Sequence, residues 1–109
     1  MEEKDRGRRY VSRLLLDMIR KGTLCQTLRQ SEQLPLLNME QSAIPSFVDV
    51  ARRLKTMCDL EPRQYPEPVD GRIRVMTLQG KDAHFWVHFS DIGPDPSVDV
   101  RLVPGVQPG

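Results

Sequence analysis

The residues able to do chemistry in this chain are few, and most fall between positions 70 and 91. His84, Trp86 and His88 occupy alternate positions of one run, 83–89. In an extended strand, a rise of about 3.3 Å per residue separates the two histidines by ~13 Å, too far to share one metal ion. Cys58, His88, Ser90 and Asp91 supply the residue types of a nucleophile, a base and an orienting acid. Nothing in their spacing puts a nucleophile on a strained turn or beside an oriented base. Gly80-Lys81 is followed by Asp82 where a phosphate loop needs Ser or Thr, and Val75 stands where its first glycine would be. Neither a catalytic set nor a metal site is expected, and no cofactor.

The same residues suit contact better than catalysis. Trp86, with His84 and His88 on its strand face, reads either as an exposed interface anchor or as core beneath the segment 23–37. Arg72 and Arg74 share one side of a neighbouring run, and the plain reading of Arg72 is an exposed strand arginine paired to Asp70 or Asp99. Arg52 and Arg53, with Lys55, form a second polar cluster. It lacks the basic excess and stacking platform of a nucleic-acid-binding surface, so no nucleic-acid partner is expected.

Three β runs must position the first group. In 83–89 the apolar residues Ala83, Phe85, Val87 and Phe89 alternate with His84, Trp86 and His88. This period of two marks a strand with one buried face. Val98, Val100 and Leu102 repeat the pattern against Asp99 and Arg101, and Ile73, Val75 and Thr77 share a face opposite Arg72, Arg74 and Met76. Joined by Gly80-Lys81-Asp82 and Gly93-Pro94-Asp95-Pro96, the runs read as a three-stranded antiparallel meander.

Helices precede it. Val11, Leu14, Leu15, Met18 and Ile19 fall on one face of a helix starting near Tyr10 and ended by Gly22 after Arg20 and Lys21. Its exposed side carries Arg8, Arg9, Arg13, Arg20 and Lys21, either a solvated face or a docking face for an acidic partner. A second helix opens at the N-cap Ser46, with Asp49 three residues on, and buries Phe47, Val50, Ala51, Leu54 and Met57 or Cys58. Arg52, Arg53 and Lys55 are expected to point away from that stripe. Pro62, Pro66 and Pro68 make 61–69 an extended connector. The stretch 23–44 holds neither period; a short strand or helical turn near 25–28 and an extended piece through 34–37 both fit it.

The expected architecture is therefore α+β, two amphipathic helices on a three-stranded meander, with a flexible N-terminus at 1–9, one domain at 10–103 and a flexible tail or linker at 104–109. A chain of 109 residues has room for one modest core. Its net charge of +1 calls for no nucleic acid or anionic membrane. Two cysteines far apart, no secretory leader and no apolar run of ~18 residues point to a cytoplasmic protein not inserted in a membrane.

The order of elements resembles a known family. Ala51-Arg52-Arg53-Leu54-Lys55-Thr56-Met57-Cys58-Asp59-Leu60, a proline-bearing connector and Asp70-Gly71-Arg72-Ile73-Arg74-Val75 are similar to the N-terminal domain of the hexameric ATPases of type II secretion and type IV pilus assembly. The likeness continues through Gly80-Lys81-Asp82-Ala83-His84-Phe85-Trp86-Val87 and Ser97-Val98-Asp99-Val100-Arg101-Leu102, and upstream through the helix at 14–20. The family segment following that helix is absent, since 22–37 is too short to hold it, and so is the nucleotide-binding domain. The resemblance implies a non-catalytic protein-binding module that docks on an ATPase subunit or an assembly-platform component, with a homo-oligomer open. It implies that Arg72, with Arg74, lies toward a neighbouring nucleotide or partner. A second family arginine maps to Trp86, whose indole cannot clamp a phosphate as a guanidinium fork does. The chain is then either one domain of a longer ATPase or a free-standing module. A small α+β adaptor or regulator unrelated to secretion is the alternative.

Overall fold

The computed structural model describes residues 3–103. In chain order the elements are α1 (Glu3–Lys21), β1 (Cys25–Arg29), a 3-10 turn (Gln41–Ala43), α2 (Phe47–Met57), β2 (Val69–Met76), β3 (Asp82–Ser90) and β4 (Ser97–Leu102). The expected α+β class holds, with one correction. The sheet has four strands, in the order β1-β4-β3-β2, and every neighbouring pair is antiparallel.

The added strand lies beside β4, pairing Cys25 with Arg101 and Arg29 with Ser97. Only Leu28 of its five residues is buried, so its sequence carries no alternation. Polar contacts at one end hold it in register. Thr27 Oγ1 donates to Asp99 Oδ1 at 2.7 Å, and Ser31 donates to Asp95 through its backbone N–H at 3.1 Å and its hydroxyl at 2.8 Å.

Both helices cover one face of this sheet. From α1 come Tyr10, Val11, Leu14, Leu15 and Met18; from α2, Val50, Ala51 and Leu54; from the strands, Leu28, Ile73, Phe85, Val87, Phe89, Val98 and Val100. Each large apolar side chain removed from water in this way contributes about 1.5–3 kcal/mol of transfer free energy. The helix ends follow the expected chemistry. Ser46 Oγ accepts from the Asp49 N–H at 3.1 Å, and Gly22 at φ +68° closes α1, with Thr23 N–H bonded to the Met18 carbonyl.

α1 begins at Glu3 rather than near Tyr10, running back through residues expected to be frayed. Those turns are polar, so apolar periodicity could not reveal them. The segment 30–44 packs on α1. Tyr10 donates to the Pro35 carbonyl at 2.6 Å, Arg13 Nε donates to the Leu37 carbonyl at 3.1 Å, and Leu34 enters the core. The expected tail at 104–109 and the first two residues lie outside the described part of the chain. No helix among the described residues is long and apolar enough to cross a membrane.

Candidate interaction faces

The sheet face turned away from the helices is open. Antiparallel register sets its side chains in rows, because residues directly opposite each other share a face. One row is Cys25, Arg101, Trp86 and Arg72. The next is Thr27, Asp99, His88 and Asp70, and on the other side His84 stands opposite Arg74. The structure thus brings five sequence-predicted residues, Arg72, Arg74, His84, Trp86 and His88, onto one surface.

Trp86 is 40% exposed at the centre of that surface, and 30–44 lies across the molecule on α1, so it is not core beneath the earlier segment. The guanidinium of Arg72 lies 5.0 Å from its ring centroid. That cation–π stacking replaces the pairing with Asp70 or Asp99 expected for Arg72, because both carboxylates are taken. Asp99 accepts from Thr27, and Asp70 accepts from His88 Nδ1–H at 2.5 Å. The bond from His88, supported by Trp86 and by the His88 charge, holds the Asp70 carboxyl below its usual value against a smaller desolvation cost. Asp82 links the third row, accepting from Arg74 Nε at 2.9 Å and lying 3.5 Å from His84 Nε2. Its carboxyl is also lowered, first by the hydrogen bond from Arg74. The face therefore carries four arginines, Arg29, Arg72, Arg74 and Arg101, and three aspartates, with Arg72 stacked on an aromatic ring and the aspartates each held by a neighbouring strand.

The two histidines are committed to different carboxylates, and the described residues hold no cluster of three or more His, Cys, Asp or Glu side chains able to bind a metal. Of the residues with nucleophile, base and acid types, Cys58 stands apart from His88. Cys58 lies at the end of α2 against Gly71, on the helical side, whereas His88 faces outward. Burial, and then the charge of Asp59, push the Cys58 thiol up to about 11, so it is protonated near neutral pH. Gly80, at φ +84°, and Lys81 make the β2–β3 hairpin turn, closed by Thr77 N–H on the Lys81 carbonyl.

One polar centre escaped the sequence reading. Lys55 does not point away from the core; it is 4% exposed, with Nζ 2.8 Å from Asp91 Oδ2 and 2.7 Å from the Arg63 carbonyl. The rings of Tyr65 and Phe89 each lie 5.6 Å from the ammonium, and Tyr65 N–H donates to the same Asp91 oxygen at 2.7 Å. The pair ties the proline-bearing connector to α2 and to the end of β3. A lysine on the flank of an amphipathic stripe gives no sign of burial until a connector is known to cross it.

Arg52 and Arg53 stand apart from the sheet face, on α2 at the helical side of the molecule. The sequence-predicted interface residues therefore fall on two separate surfaces. No protein-family model matches this chain, and no characterised protein matches it in sequence.

Proposed function

We propose that this chain is a non-catalytic protein-binding module whose contact surface is the open face of its sheet. The observation that carries the reading is Trp86, half exposed at the centre of a face whose polar side chains are already ordered by neighbours. A large aromatic side chain held in place loses little conformational freedom on binding, which is why tryptophan and arginine dominate interface energetics. The resemblance of the elements from 51 to 75 to secretion and pilus ATPases gives the partner: an ATPase subunit or an assembly-platform component, with Arg72 toward it. Arg74, bonded to Asp82, supports the face rather than reaching out from it.

The mixture of arginines and aspartates on this face, with no excess of one sign beyond a single charge, favours a second reading, an adaptor or regulator unrelated to secretion. Binding of the purified chain to ATPase domains of the resembled family separates them. On the first reading wild type binds and Arg72→Ala weakens binding by about tenfold with the fold unchanged, a loss of ~1.4 kcal/mol. If wild type binds none of them, the adaptor reading takes over.

A further inference from the structure

On the helical side, a trough runs along α2. One depression of about 580 Å³ opens where α1 crosses α2, and Arg8, Arg52 and Arg53 line it with Asp49, Thr56 and Pro62. A second, of about 250 Å³, shares Arg52 and Pro62 with the first and continues past Phe47, Val48, Arg63 and Pro96. The shared residues make the two one feature. Its first half is dominated by guanidinium groups, and its second adds apolar surface, including Val48 at 43% exposure.

Among the residues whose side chains are described, Arg8, Arg52 and Arg53 form no ion pair, in contrast to Arg29 and Arg74 elsewhere and to Arg63 of the second depression, which pairs with Glu61. Asp49, the one carboxylate lining the first depression, sits in the opening turn of α2, where the helix dipole favours it, and none of these arginines bonds it. Arg53 Nε is shut off from solvent with no hydrogen-bond partner among the described residues. A buried donor left in this state is costly.

We propose that this trough binds an acidic peptide segment of a partner protein, its carboxylates on Arg8, Arg52 and Arg53 and an apolar residue against Phe47 and Val48. The three arginines come from two helices and line the first depression, and Arg52 also lines the second with Phe47 and Val48. A ligand carrying carboxylates and an apolar residue along one extended chain fits that pairing of charge and apolar surface better than a single small anion. This surface lies away from the open sheet face, so the proposal stands whether or not that face binds an ATPase.

The test is NMR titration of the ¹⁵N-labelled full chain with a synthetic peptide alternating glutamate pairs with single leucines. Its glutamine counterpart and inorganic phosphate are run alongside. The proposal expects saturable shifts confined to the walls of the trough, weakened by salt, and a loss of affinity of at least about tenfold in Arg52→Glu. Val48→Ser weakens the same peptide without touching a charge, and keeps the test decisive if Arg52→Glu fails to fold. Arg101→Glu, on the sheet face, leaves binding unchanged. Absence of shifts, equal binding of the glutamine peptide or of phosphate, or an equal loss in Arg101→Glu would each overturn the proposal.

Discussion

Gly71 on β2 lies so close to Cys58 at the end of α2 that a Cβ at position 71 would stand 2.4 Å from the Cys58 Cβ and 2.6 Å from its sulfur. The glycine that most attracts notice in Asp70-Gly71-Arg72 thus has a packing role, letting the helix end sit directly on the edge strand. Its neighbours Asp70 and Arg72 project to the opposite, open face. Gly71→Ala should destabilise the fold by about 2–3 kcal/mol through overpacking, read as a lowered denaturant midpoint. An unchanged midpoint would mean that α2 can shift freely on β2.

Lys55 and Asp91 answer to a different rule. Because each is the buried charge partner of the other, removing one leaves an uncompensated charge. Asp91→Asn or Lys55→Met should each cost about 3–5 kcal/mol. The double variant Lys55→Met/Asp91→Leu should recover a large part of that loss in chemical denaturation. Additive losses would show that the two side chains act separately.

The two cysteines should differ in reactivity. Cys25 is exposed on β1, whereas Cys58 is partly buried and its thiol is held protonated near neutral pH. Titration of the native chain with an aromatic disulfide at neutral pH should label Cys25 promptly and Cys58 only after denaturant is added. Equal rates for the two thiols would contradict the packing at Gly71.

Acid should loosen the open face. Asp70 and Asp82 have carboxyls held below their usual value of 3.8, by His88 and Arg74 respectively. A lowered folded value means that folding favours the ionised form. The resulting stability is fully present above 3.8 and is lost as the pH falls through the lower folded values. Asp70 is exposed and Asp82 half-buried at the surface, so the effect is small. Unfolding curves between about pH 5 and pH 2 should be flatter in Asp70→Asn/Asp82→Asn than in wild type.

Strands β2, β3 and β4 and helix α2 were legible because each carries an unbroken apolar period and punctuation at its ends. Even so, Asp59 closes α2 at φ +62°, a role in which glycine is the usual signal. β1 was only half legible, as one of two readings of 25–28. An edge strand with one buried residue has no pattern to read, and its partner lies some seventy residues away at Asp99. The open face was legible in its residue types, since period two alone puts His84, Trp86 and His88 together. Its wiring was not. Which aspartate holds which base depends on register between strands, and sequence offered Arg72 the two carboxylates that His88 and Thr27 in fact occupy. Lys55 was missed because its burial is made by a connector whose path the prolines leave unspecified.

The chain has one tryptophan, and it stands at the centre of the proposed contact face. Its emission therefore tests the central claim directly. Titrated with an ATPase domain of the resembled family, wild type should show a saturable blue shift and protection of Trp86 from acrylamide quenching, both weakened in Arg72→Ala. Binding detected by another method with Trp86 emission and quenching unchanged would place the partner elsewhere and contradict the account.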